Sequence, residues 1–208
     1  NIFITKVKTK MIKKSSSRRA LSTVVTTLII LVVSVLLATV VVYYATNVVG
    51  TRVQEESLHL TKQHIWQNAT AEIGSTSYSQ ATLMVMNTGG RDVVVDKIAV
   101  RGQECPWDNI ASNKFVLYAT ANGPITQDIP YMDNFTAGTN QVTIDNTTYD
   151  FKVAPNDLVL KSGYTLLLYI VNPDSVAVND VGLTVGIALH SAQAVYYKET
   201  NVEAVSMQ

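Results

Sequence analysis

Thirty-two consecutive residues without a charge, 20–51, constrain this chain more than anything else in it. They lie between Arg19 and Arg52 and are dominated by Val, Leu, Ile, Ala and Thr. As a helix the run measures about 48 Å, at ~1.5 Å per residue. A bilayer core needs only about 20 apolar residues. The segment is therefore long enough to span a membrane and project beyond it, or to form the interior of an assembly of many copies. Val and Thr have poorer helix propensity than Leu or Ala. In lipid that matters little, because every backbone polar group must be satisfied within the segment, and a helix does this. Ser34, Ala38, Thr39, Ala45 and Thr46 are small enough to permit close helix approach. Tyr43 and Tyr44 sit near the outer end, where aromatics serve either as interfacial anchors or as packing in a bundle.

Charge sets the direction of the span. The 208-residue chain has 16 basic and 16 acidic residues, but residues 1–20 carry Lys6, Lys8, Lys10, Lys13, Lys14, Arg18 and Arg19 and no acid. The remainder is left with 9 basic against all 16 acidic residues, a net of −7. Lys and Arg beside a span are retained in the cytoplasm. Residues 1–19 are thus expected inside and residues after about 52 outside. The basic run abuts the span, so it reads as a topology signal and not as a nucleic-acid patch. Cys105 is the single cysteine, so the outer part must be stable without an intrachain disulfide.

The leader does not have the order of a Sec signal, in which a short apolar stretch precedes the cleavage site. Here the cleavable-looking residues Arg18-Arg19-Ala20 come before the apolar run that starts at Leu21. Two readings follow: an uncleaved signal anchor, or a leader cut on its cytoplasmic side. Arg18-Arg19-Ala20 followed by Leu21-Ser22-Thr23-Val24-Val25 resembles the class III signal of archaeal type IV pilins and archaellins (archaeal flagellins). That resemblance implies recognition of Arg18, Arg19 and Ala20 by a membrane-embedded prepilin peptidase. It also implies cleavage between Ala20 and Leu21. Bacterial type IV pilins usually carry glutamate at mature position five. Val25 stands there, which is compatible with the archaeal branch. The resemblance covers about residues 13–50.

Beyond Gly50 the pattern becomes amphipathic, with Val53, Leu58, Leu60, Ile65 and Trp66 among Arg52, Glu55, Glu56, Lys62 and His64. The helix is expected to continue to about Gln67, which divides the chain into a leader at 1–20, a long helix at 21–67 and an outer domain at 71–208. His59 and His64, five apart, miss the one-face spacing of a helix and read as solvated residues, not metal ligands.

From about Ala71 short β-rich runs alternate with turn residues. Residues 79–86 and 93–101, joined by Asn87-Thr88-Gly89-Gly90-Arg91-Asp92, read as a hairpin. That stretch also resembles the first hairpin of archaeal pilin and archaellin outer domains. Further strands are expected at 114–119, 141–144, 149–153, 165–172, 183–190 and 194–202. Strands of this length and spacing predict an antiparallel, immunoglobulin-like β-sandwich, making the fold α+β.

No nucleophile elbow, HExxH, P-loop or paired CxxC is present, so no enzyme class is supported and no cofactor is implied. Asp145, Asp150, Asp157, Asp174 and Asp180 are hard oxygen ligands in type, but they lack EF-hand spacing and read as solvated loop acids. Three N-glycosylation sequons begin at Asn68, Asn134 and Asn146, all on the side assigned outside. The reading that follows is a structural subunit of an extracellular filament, held in the membrane as a precursor. After cleavage it would polymerise with itself through the helix, with prepilin peptidase and assembly machinery as partners. The alternative is a signal-anchored protein whose outer domain binds a surface layer or a filament component. Motility and adhesion are not separable in this sequence.

Overall fold

The computed structural model describes residues 16–68, 79–133, 135 and 140–205, and the side chains of these except 16–20 and 52–54. The chain divides into two compact units, with the boundary between Thr51 and Arg52.

The first unit is carried by one helix, α1, Ser16–Gln54. The second is built of strands: β1 Leu58–Gln67, β2 Ser79–Asn87, β3 Val93–Val100, β4 Gln103–Glu104, β5 Asp108–Asn109, β6 Lys114–Asn122, β7 Asn140–Ile144, β8 Thr147–Val153, β9 Leu158–Leu160, β10 Tyr164–Val171, β11 Thr184–Ser191 and β12 Val195–Ala204. The fold is α+β, as expected. Each strand expected from 79 onwards is present, with ends shifted by at most a few residues.

Strands run in the order β4-β3-β11-β12-β1-β2-β10-β6-β8-β7. The long ones form two layers, β1-β2-β10-β6 and β3-β11-β12, whose facing residues share one apolar core. Leu60, Ile65, Leu83, Val85, Leu166, Leu168 and Ile170 from the first layer meet Val95, Ile98, Val100, Val185, Ile187 and Leu189 from the second. That is the ABED-on-CFG strand order of an immunoglobulin constant-type sandwich. Among the described residues every pairing is antiparallel except β1 with β12, which run parallel at Ile65↔Val202 and join the two layers along one side.

A second core lies on the other face of the first layer. Phe115, Leu117, Leu167, Tyr169 and Val171 are covered there by Ile129, Phe135 and the β7–β8 hairpin residues Val142, Ile144 and Phe151. This is why β10 reads as a near-continuous apolar run, YTLLLYIV, and not as an alternating one: it is buried on both faces. β2 is likewise buried along almost its whole length.

Three expectations are corrected. First, the helix ends at Gln54 and not near Gln67, and the sandwich begins at 58, not 71. The apolar spacing of 58, 60, 65 and 66 mimics a helix because β1 carries a bulge. Between Thr61 and His64 its register against β2 slips by one residue, and Lys62 takes φ 54°. Leu58 and Leu60 before the bulge and Ile65 after it therefore all face the core. Second, 79–86 and 93–101 do not form a hairpin. β2 is paired on both edges, by β1 and β10, while β3 pairs with β11, β4 and β9. The intervening turn passes the chain from one layer to the other. Its Thr88 and Gly89 amides donate to Ser57 O at 2.9 and 3.1 Å. A Cβ on Gly89 would lie 2.7 Å from Glu55 O, so this approach needs glycine. Third, His59 and His64 are strand residues, and the His64 ring stacks on Trp66 with centroids 5.1 Å apart.

Candidate functional site

Leu21–Thr51 forms 31 residues of continuous helix with none of its apolar face buried. Leu31, Leu36, Val41 and Tyr44 point in different directions around the axis, and each is 60% exposed or more. A helix that is apolar all round belongs in lipid or inside a bundle. The polar side chains within it are folded back onto the helix itself. Thr26 Oγ1 donates to Ser22 O at 2.8 Å, Ser34 Oγ to Ile30 O at 2.6 Å, Thr39 Oγ1 to Val35 O at 2.8 Å and Thr46 Oγ1 to Tyr43 O at 2.9 Å. Asn47 Nδ2 also donates to Tyr43 O, at 3.1 Å. These bonds shelter hydroxyl and amide groups that would otherwise be stranded in an apolar surrounding. Val35, Ala38, Thr39, Val42, Tyr43 and Thr46 line a shallow apolar groove along one face. Three of the small residues singled out in the sequence, Ala38, Thr39 and Thr46, form its floor. Ser34 and Ala45 do not line it.

Arg18, Arg19 and Ala20 lie in α1, so the Ala20–Leu21 bond is part of an uninterrupted helix, and Leu21 is 72% exposed. Of the three sequons, Asn134 lies outside the described residues. Asn68 is buried, and its Nδ2 donates to Tyr131 Oη at 3.5 Å, a poor setting for a bulky glycan. Asn146 is exposed at the tip of the β7–β8 hairpin. Asp145 and Asn146 both have positive φ, 50° and 59°, the geometry of a two-residue type I′ turn. Thr148, which completes the sequon, is exposed on the same hairpin and shares a 3.0 Å hydrogen bond with Thr143. The three sequons are not brought together.

The acids weighed as calcium ligands are dispersed, and four of the five have partners of their own. Asp145 accepts from the Thr126 amide at 2.7 Å and the Gln127 amide at 3.1 Å, which holds its carboxyl below the usual range. Asp180 accepts from the Ala177 amide and from Arg101 Nη1, both at 2.8 Å, and is likewise held low. Asp174 pairs with Lys114, and Asp150 accepts from Gln141 Nε2 at 2.9 Å. Among the described residues no group of three or more His, Cys, Asp or Glu side chains is placed to hold a metal ion. Cys105 is buried, and that burial pushes its thiol up to about 12, making it a weak nucleophile at neutral pH.

Sequence reasoning missed the tie between the β1 bulge and the segment that covers the second core. Lys62 pairs with Asp128 at 2.9 Å and also donates to Thr126 O. Asp145 holds the same segment from the hairpin side. The Asp145-Asn146 turn signal is legible in the sequence, but its partner at 126–127 is not, because nothing local links the two. No family model and no curated protein matches this chain.

Proposed function

We propose that the chain is the structural subunit of an extracellular, type IV pilus-like or archaellum-like filament, anchored in the membrane as a precursor. The observation that carries this reading is the helix Leu21–Thr51: apolar on every side, exposed on every side, and with its hydroxyls satisfied internally. A simple anchor needs about 20 such residues. A helix of ~46 Å serves a second role, as the interior of an assembly.

In the precursor the seven basic residues of the leader hold the N-terminus in the cytoplasm. Cleavage after Ala20 removes that charge, and the helix is then free to leave the lipid. Lipid shelters apolar side chains about as well as another helix does, so machinery must drive extraction. Once outside, mutual burial of the helices is favoured by about 1.5–3 kcal/mol for each large apolar side chain taken out of water. The groove at Val35–Thr46 is the face on which a neighbouring helix approaches most closely. The sandwich faces solvent, and Asn146 is the sequon best placed to carry a glycan.

N-terminal sequencing of surface material tests the reading. A start at Leu21, in polymer visible by electron microscopy, is expected. Surface protein that retains residues 1–20 would overturn it in favour of a signal-anchored protein with an outer β-domain. Mass spectrometry of peptides spanning Asn146 is expected to show excess mass there and none at Asn68.

A further inference from the structure

Two polar side chains of β2 lie where the fold offers them no partner. Gln80 and Thr82 are both 0% exposed, and neither amide atom of Gln80 nor the hydroxyl of Thr82 bonds to any protein group. Register places them side by side on the outer face of the first layer. Gln80 stands between Trp66 and Val171, and Thr82 between His64 and Tyr169. The same face carries Met84, Leu167 and Tyr169 of the second core, so the pair sits at the floor of an otherwise apolar compartment. Ile129 and Phe135 close that compartment from above, and Tyr131 packs edge-on against Trp66 at 5.8 Å.

Most polar groups around them are already committed, but His64 Nδ1, beside Thr82 in the register, is likewise buried without a hydrogen bond. Tyr169 Oη donates to Pro130 O at 2.7 Å, Trp66 Nε1 to Glu203 Oε2 at 3.1 Å, and Asn68 Nδ2 to Tyr131 Oη at 3.5 Å. Buried amides and hydroxyls in folded proteins are nearly always hydrogen-bonded, to protein or to ordered water. The chemistry that would satisfy both amide atoms of Gln80 and the hydroxyl of Thr82 together is that of a small molecule that both donates and accepts.

We propose that Gln80 and Thr82 form the floor of an internal water site beneath residues 124–133 and Phe135, with one ordered water bridging the Gln80 amide and the Thr82 hydroxyl. The spacing suits a bridge. Residues two apart on one strand face are separated by roughly 6.5–7 Å. A water about 2.8 Å from each partner spans some 5.6 Å, and the longer glutamine side chain closes the rest. The donor count suits it as well. The water accepts from Gln80 Nε2–H and donates to Gln80 Oε1 or Thr82 Oγ1, while the hydroxyl keeps one donor for the water oxygen. Apart from His64 beside Thr82, the compartment is lined by apolar and aromatic side chains, which disfavours a charged occupant. The consequence is a hydrated seam, in which the covering segment rests on the sheet through water. This inference does not depend on the filament reading.

Magnetic relaxation dispersion of water oxygen, on the full chain in detergent, reads the number of long-lived internal waters. Wild type is expected to carry one more than the double variant Q80M/T82V, which replaces both polar groups with apolar ones of similar size. Equal numbers in the two proteins overturn the proposal. If the double variant does not fold, a high-resolution structure of the wild type decides. Ordered water within about 3.2 Å of both Gln80 and Thr82 upholds the site. Its absence in a map that shows other waters, or a Gln80 amide bonded to a protein group, overturns it.

Discussion

Leu36 stands at the midpoint of the Leu21–Thr51 span, with about 22 Å of helix on either side of it. It is 60% exposed, so its surroundings are whatever the helix is embedded in. That makes Leu36→Lys a direct probe of those surroundings. If the helix stands in water, exchanging one exposed residue for another changes stability by no more than about 0.5 kcal/mol. If it spans a bilayer, a lysine at the centre costs about 2.5–3.5 kcal/mol, and the lost leucine adds roughly 0.5 kcal/mol. The total of about 3–4 kcal/mol corresponds to two to three powers of ten in partition between membrane and water. Both helix ends are too far for the ammonium group to reach by snorkelling, so little of that cost is recovered. The assay is alkaline extraction of membranes from cells expressing the full chain, with Thr51→Lys, at the edge of the span, as the control. Leu36→Lys is expected in the soluble or degraded fraction while Thr51→Lys stays with the membrane. Equal retention of the two variants would refute the inference that the helix is surrounded by hydrocarbon.

Leu168 is fully buried in β10, facing the core between the layers; Leu168→Ala is expected to destabilise the sandwich by about 3–5 kcal/mol in chemical denaturation, and a loss below about 1 kcal/mol would show that the two layers do not close on each other there. Asp180 has a native carboxyl pKa held below the usual range by the Ala177 amide and Arg101. Its contribution to stability is therefore complete above the unfolded value of about 3.9 and is lost as pH falls through the native one. Asp180→Asn should flatten the acid limb of the stability profile below about pH 4, and an unchanged limb would contradict the assignment. Cys105, with its thiol at about 12, should resist thiol reagents at mildly alkaline pH in the native chain and react fully once denatured; prompt labelling of native protein would contradict its burial.

Much of the architecture was legible because its signals are local. An uncharged run of 32 residues admits few conformations other than helix in the surroundings it needs, and turn residues at 122–124, 145–146 and 172–174 mark strand ends by their own backbone preferences. Where reading failed, the cause was pairing. The bulge at Lys62 broke the period of two in β1 and imitated a helix, although the strand exists because β2 and β12 flank it. The supposed hairpin at 79–101 had a suitable turn, but β2 finds its partners 12–29 residues earlier in β1 and 79–91 residues later in β10.

The candidate site divides the same way. The sequence alone determined the apolar helix, the basic leader before it and the positions of the three sequons, since each is a property of consecutive residues. Tertiary structure decided that Asn68 is buried while Asn146 stands exposed on a type I′ turn. It also decided that the segment at 126–128 is held by both Lys62 and Asp145, and that Gln80 and Thr82 are fully buried. Burial and partnership are set by residues distant in the chain, and no local pattern encodes which distant residue will arrive.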